Sequence, residues 1–349
     1  MEIDYLIIGQ GLAGSLLAWE LIQRDKKVII VDNNRLNASQ VAAGLINPVT
    51  GMRFVKSTNV DTLLPSALDY YQNLSLYFKQ AFYIEKPMLR LLRNDKEITA
   101  CTKRFKDSQY KNYLAEIVPT STGINASHGI LKQNNTGYLL TSPLLEALKS
   151  YFISLNAYIK TELHYDEISL SPTLQWKNFK PKQIIFCEGH SATQNPWFSV
   201  LPFQLVKGEI ITALSKHLIP QSILNYGHWF IPLDNHQFRT GASFDRDNIN
   251  SNISDEVKTK LFESLQQVYP TLTVEQIIKH QAGIRPTTQD KMPFIGQHPH
   301  HPELFIFNGF GAKGSLQIPW HCQNLADKLL NNQTIPQSSN INRYYSLFL

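Results

Sequence analysis

Cysteine, long apolar runs and charge are all scarce in this chain, and each scarcity removes a class of protein. Its 349 residues include three cysteines. Cys101, Cys187 and Cys322 are far apart, odd in number and without CxxC or Cys/His spacing, which argues against a disulfide framework or a zinc site. No apolar run approaches the roughly 18 residues of a membrane span, and the opening Met1-Glu2-Ile3-Asp4 lacks the basic start of a secretion signal. A soluble protein of the reducing cytoplasm, with no membrane partner, is expected. Only 17% of residues are charged while 43% are hydrophobic, against an average near 25% charged, so a disordered or fibrous chain is excluded. A strong excess of one charge sign is missing too: 33 Lys and Arg face 28 Asp and Glu, a net charge of +5. That mild basicity permits an anionic ligand or a nucleic acid and requires neither.

At about 150 residues per domain, the length suggests two domains. No low-complexity linker or internal repeat separates them, so the two are expected to interleave along the chain. Residues 3–8 are a short apolar run of strand formers, Gly9-Gln-Gly-Leu-Ala-Gly14 is a tight turn, and Ser15 to Arg24 has helical apolar spacing. The second run Val28–Val31 ends in Asp32 and completes a βαβ unit. Further helices are expected over 62–83, from Thr141-Ser-Pro143 onward and over 255–268. Strands are expected at 87–93, 184–186, 205–213 and 304–308, with alternation over 229–245.

Gly9, Gly11 and Gly14 form a GxGxxG fingerprint in its required context. The first glycine allows the turn, the second lets the backbone approach a pyrophosphate, and the third lets helix pack on strand. The helix N-terminus beyond this turn supplies free N–H groups and a positive dipole end to the phosphates, and Leu12 and Ala13 of the turn are expected at the cofactor with the glycines. Asp32 lies where a carboxylate accepts the ribose hydroxyls. The fingerprint alone leaves FAD and NAD open. Ser39 and the segment Ala42-Ala43-Gly44-Leu45 are small and suit backbone lying against a flat cofactor. Gly309-x-Gly311-x-x-Gly314 repeats the pattern, but Pro319 is expected to interrupt the following helix early, and no acidic residue or second strand follows Asp327; a second dinucleotide site is therefore rejected. His298-Pro-His-His-Pro302 is expected to be a solvent-exposed loop; with no acidic or cysteine neighbour, no metal is expected. Lys79 to Lys111 holds nine basic and four acidic residues, a surplus equal to that of the whole chain.

Together these segments resemble the D-amino acid oxidase superfamily of flavoproteins, which includes glycine oxidase and sarcosine oxidase. The likeness runs over nearly the whole chain. It rests on the N-terminal fingerprint, Ser39-x-x-Ala-Ala-Gly44, the strand end Cys187-Glu-Gly189-His190, Gly241-Ala-Ser-Phe-Asp245, Ala282-Gly-Ile-Arg-Pro-Thr-Thr-Gln-Asp290 running into Met-Pro-Phe-Ile-Gly296, and Asn308-Gly-Phe-Gly-Ala-Lys-Gly314. The resemblance implies an α/β fold: a Rossmann-like FAD/NAD(P)-binding domain from residues 1–78, 139–200 and 283–349, with an inserted antiparallel-sheet substrate domain from 79–138 and 201–282. It implies FAD, held by the residues named above together with Gly189 and the turn Gly309, Gly311, Ala312 and Gly314, which would face the flavin's pyrimidine edge with Lys313 adding charge. Arg285 would fork onto a substrate carboxylate, and Tyr226 would line the pocket beside His228 and Trp229. Covalent sarcosine oxidases carry a cysteine where this chain has Gly283, so FAD is expected to be noncovalent.

The implied activity is oxidation of an amine beside a carboxylate, in an amino acid or N-substituted glycine, by hydride transfer to flavin N5. The electron acceptor is left open, with O2 among the candidates. Glu188-Gly189-His190 and the basic residue in the 309–314 turn also resemble the oxidoreductase half of the bifunctional enzyme that trims carboxymethylaminomethyl-uridine in tRNA. The methyltransferase half has no counterpart in this sequence. A tRNA-modifying oxidoreductase is thus the alternative, and a flavin-binding protein without turnover a third; a nucleic-acid partner is not the favoured expectation.

Overall fold

The computed structural model describes residues 1–119, 121 and 123–348. Strand Glu2–Ile8, helix Leu12–Ile22 and strand Val28–Asp32 form the anticipated βαβ unit, with Tyr5 to Ile8 paired in parallel to Val28 to Val31. These strands are β-branched and apolar because both their faces are covered. The full sheet has six strands, in the order Tyr158–Lys160, Val28–Asp32, Glu2–Ile8, Lys180–Phe186, Leu304–Asn308 and Phe294–Gln297; only the last pair is antiparallel. On one face Tyr5, Ile7, Val28 and Ile30 pack against Leu16, Leu148 and Leu325 from three helices. On the other, Leu6, Ile8, Ile29 and Val31 pack with Trp176 and Phe198.

A second sheet of eight strands runs Val274–Thr288, Phe203–Ser215, Gln237–Gly241, Trp229–Pro232, Ile223–Asn225, Met88–Leu91, Ile130–Gln133 and Leu114–Val118. Its pairs are antiparallel apart from Ile223–Asn225 with Met88–Leu91. Helix Asp255–Val268 seals the outer face through Leu261 and Leu265 against Leu89, Leu91 and Ile211. Met88, Ile210 and Ile231 point the other way, toward Val41 and Ala43. That period-two alternation decides which residues of this sheet can reach the first one. The α/β fold class read from the sequence holds. Among the described residues no helix is long and apolar enough to cross a membrane.

Several boundaries and environments differ from expectation. The helix expected over 62–83 is Val60–Phe78, closed by Lys79 in the left-handed region, and the strand expected over 87–93 is Met88–Leu91. Pro319 does not interrupt its helix, which runs from Gly314 to Asn331. Proline cannot donate to the carbonyl four residues back, but that carbonyl, on Ser315, accepts instead from the Tyr71 hydroxyl at 2.7 Å. His298 is buried rather than solvent-exposed: its Nδ1 accepts from the N–H groups of His300 and His301, each at 3.1 Å, and its ring packs between Phe198 and Phe348. Among the described residues no cluster of His, Cys, Asp or Glu could hold a metal ion.

Candidate active site

One cleft of about 1340 Å³ lies between the carboxyl ends of the parallel strands and the inner face of the eight-stranded sheet. Its size exceeds the roughly 300–1,000 Å³ of a typical small-ligand pocket. The position is where open α/β sheets bind ligands, because the turns there leave helix N-termini and backbone N–H groups unpaired.

Gly9, Gly11, Leu12, Ala13 and Asp32 line one end. Gly14 lies behind them: a Cβ there would overlap the Gly9 carbonyl, so its absence is what lets helix and turn touch. Helix Leu12–Ile22 starts at Gly11 without a side-chain cap. Of its first N–H groups, that of Leu12 donates to Ser39 Oγ at 3.0 Å. Asp32 Oδ2 accepts from the Gln10 N–H at 2.8 Å and Oδ1 from the Asn34 N–H at 2.6 Å. A carboxylate has about four acceptor positions, so capacity for two ribose hydroxyls is left. These features fit the adenosine and pyrophosphate half of a dinucleotide.

Ser39, Ala43, Gly44, Leu45 and Gly189 continue the wall. Glu188, beside Gly189, also lines the cleft, and its carboxylate accepts from the Tyr165 hydroxyl and the Asn195 amide, both at 2.8 Å. Burial pushes its pKa up to about 7, against those two hydrogen bonds. Gly311, Ala312, Lys313 and Gly314 line the opposite end, and Lys313 Nζ donates to Ser57 Oγ at 3.1 Å. Burial, and then the nearby Lys291, lowers the Lys313 pKa. Gly309 does not line the cleft; it tucks against Thr288 and Phe294.

Across from this wall stands Arg285, paired in register with Val206. Burial lowers its pKa, and among the described residues no acidic group lies within 4 Å of it and its one side-chain hydrogen bond is a long 3.5 Å contact to the Ser243 carbonyl. It is therefore no surface ion pair. Its guanidinium crosses the neighbouring strand over Gly208, where a Cβ would collide with it.

Tyr226 is a correction to the sequence reading. It is buried in the core behind the eight-stranded sheet, its hydroxyl 3.1 Å from Thr240 Oγ1, and it does not line the cleft; Asn225, Gly227 and Trp229 do. Three contributors went unassigned from sequence: Gly208, whose meaning depends on a cross-strand neighbour, Glu188, and Arg90. The last had a signal, a lone arginine on the inward face of the apolar strand Met88–Leu91.

Comparison with known proteins agrees with this geometry. Residues 4–328 match the family model for FAD dependent oxidoreductases. Over 97% of its length the chain is 24% identical to the tRNA 5-methylaminomethyl-2-thiouridine biosynthesis bifunctional protein MnmC of Acinetobacter baylyi, and it spans 54% of that protein, about half. It is 22% identical to glycine oxidase of Pseudomonas aeruginosa over 96% of this chain and 97% of that one. Among solved structures, glycine oxidase of Geobacillus kaustophilus is similar with a TM-score of 0.82 at 19% identity, covering 96% of both chains. Iminodiacetate oxidase of Chelativorans sp. is similar with a TM-score of 0.79 at 18% identity, covering 98% of both. With a family match running over most of its length, and a cleft whose residues fit a dinucleotide, the chain belongs to the FAD-dependent oxidoreductases of the D-amino acid oxidase family and is an enzyme that uses FAD.

Proposed function

We propose that the enzyme oxidises an amine carried beside a carboxylate, either R–NH–CH2–COO⁻ or an α-amino acid. The observation that carries this reading is Arg285, a guanidinium in the cleft with no acidic partner among the described residues. A buried, unpaired guanidinium is costly, and its planar fork matches a carboxylate with two parallel N–H bonds. Fixing the carboxylate plane fixes the direction of the adjacent C–H bond, the orientation that a hydride donor needs.

Bound FAD supplies the two-electron acceptor that no side chain offers. Segments 1–78, 139–200 and 283–349 hold it: Gly9, Gly11 and the N–H groups of Leu12 and Ala13 at the pyrophosphate, Asp32 at the ribose, Lys313 and the Gly311–Gly314 turn at the pyrimidine edge. Gly283 offers no thiol, so the attachment is noncovalent. Segments 79–138 and 201–282 form the substrate side, where Gly208 lies under Arg285 and Trp229 lines the same cleft. The amine binds neutral, loses a hydride and a proton to become an imine, and water hydrolyses the imine to an amine or ammonia and an oxo acid. No side chain is assigned as base.

The test is anaerobic mixing of the yellow protein with a panel of N-substituted glycines and D-amino acids. Bleaching by carboxylated amines, and not by the same amines lacking the carboxylate, is expected; no bleaching by any of them overturns the reading. Admitting air afterwards reports whether O2 restores the colour.

A second reading draws on the similarity to the bifunctional tRNA proteins, of which this chain spans about half. There the amine would sit on a tRNA uridine, and the exposed Lys103 of helix Asp95–Phe105 and Lys106 just past its end would meet phosphates. Steeply salt-sensitive tRNA binding, lost when Lys103, Arg104 and Lys106 are changed to Glu, would favour it over the free amine.

A further inference from the structure

Arg90 is a guanidinium with no job in the cleft as described so far. It sits on strand Met88–Leu91, whose other inward residue is Met88. It is 5% exposed, and its guanidinium lies 4.1 Å from the centre of the Phe54 ring. Phe54 is itself fully buried and adopts φ 50°, a left-handed conformation costly for a bulky residue. The loop thus accepts strain to place an aromatic face against the cation. Arg90 donates no hydrogen bond to the protein among the described residues, and it lines the same cleft as Arg285 together with Asn225 and Trp229.

The charges around it do not cancel. Glu97, also buried, pairs with Arg93 at 2.5 Å and is the carboxylate whose charge acts on Arg90 as well. Arg93 lies over Gly227 at the same end of the cleft. Two guanidinium groups share one carboxylate, which leaves one positive charge at low exposure facing open space. Such a charge is expensive unless a ligand completes it.

Its distance from Arg285 limits that ligand. Val274–Thr288 and Met88–Leu91 are the first and sixth strands of the sheet, so five steps of about 4.8 Å separate their backbones. The register from Arg90 through Asn225, Trp229, Gly241 and Ile210 leads to Gln281, four residues short of Arg285, so the two guanidinium groups are separate points of one cleft and cannot close on a single carboxylate.

Building on the proposed amine oxidation, we infer that Arg90 is a second anion-binding point and that the physiological substrate is elongated, with the reacting amino-carboxylate at Arg285 and a distal carboxylate or phosphate at Arg90. Phe54 holds the guanidinium flat for that group, and Arg93 remains with Glu97.

The test uses the FAD-loaded enzyme and N-(ω-carboxyalkyl)glycines with a spacer lengthened one methylene at a time, each paired with its ω-amide. As the spacer lengthens, KM for the diacid should fall at least tenfold below that for the amide. Arg90→Gln should bring the diacid-to-amide ratio back near one, whatever it does to both substrates together. Carboxymethylaminomethyl-uridine with and without a 5′-phosphate forms the other arm; selectivity confined to the phosphate pair identifies a nucleotide as the source of the anion. Calorimetric binding of heptanedioate against hexanoate reads the same point without turnover. Arg90-dependent preference for heptanedioate with no amine oxidised would retain the anion point and remove the oxidation reading. Turnover with equal KM for acid and amide at every length, and for both uridines, overturns the inference. The wild-type ratios decide this even if the variant does not fold.

Discussion

The side chain of Arg285 occupies the space that a Cβ on Gly208 would need, so the glycine on one strand sets where the guanidinium of the next one lies. Val206, not Gly208, is the register partner of Arg285; the side chain leans diagonally along the sheet to reach its place over the glycine.

Gly208→Ala is therefore expected to push the guanidinium aside without touching the dinucleotide end of the cleft. Its KM for carboxylated amines should rise about tenfold or more, as for a displaced charged hydrogen bond of about 1.5–3 kcal/mol, while bound FAD per chain stays the same. Arg285→Lys should cost about 2–3 kcal/mol in kcat/KM, because a point charge cannot reproduce the fork. Steady-state kinetics and flavin absorbance measure both. An unchanged KM in Gly208→Ala would mean that Arg285 does not position the substrate.

Acid precipitation should leave a colourless pellet and release FAD into the supernatant, because Gly283 packs its backbone against Val41 and Ala38 and carries no thiol. Chromatography of the supernatant distinguishes FAD from FMN. Recovery of FMN would contradict the pyrophosphate role of Gly9 and Gly11, and flavin kept in the pellet would reveal a covalent bond elsewhere.

Glu188 should make stability fall as pH rises. Its folded-state pKa of about 7 stands above the ordinary 4.5, so the native protein holds a proton that the unfolded chain has already lost. The contribution is fully present below the ordinary value and disappears as pH rises toward about 7. Glu188→Gln removes the ionisation while keeping an acceptor for Tyr165. Denaturant titrations should find variant and wild type similar near about pH 5, and the variant more stable by about 2–3 kcal/mol near about pH 8. Parallel stability profiles would show that the Glu188 carboxylate is ionised in the native state throughout.

What could be read from the sequence was local. The fingerprint from Gly9 to Gly14 and the acidic strand end at Asp32 carry their chemistry within one βαβ unit, so spacing alone located them. Arg285 was singled out through the family resemblance carried by Ala282 to Asp290, not by any local spacing. Tyr226 was misplaced because one step along a strand turns a side chain to the other face, and the strand order decides which face is the cleft. Arg90 was hidden inside a basic segment most of whose other members, such as Lys96 and Lys103, are exposed. Pro319 looked like a helix end because its compensating donor, Tyr71, is far away in sequence. Gly208 has no sequence signature at all: only the pairing of two long strands gives it a function.

The helix that ends the FAD-family match also covers the helix that begins it. Arg24, just past Leu12–Ile22, is paired with Asp327 at 2.5 Å, and Leu16 shares a core with Leu325. During translation at about 5–20 residues per second, the apolar side of the first helix waits roughly 15–60 seconds for its permanent cover. Over that interval the nascent chain has a dinucleotide turn without the wall that closes it. Premature termination anywhere before Gly314 would therefore yield a sticky fragment instead of a weaker enzyme, and its clearance falls to chaperones and proteases.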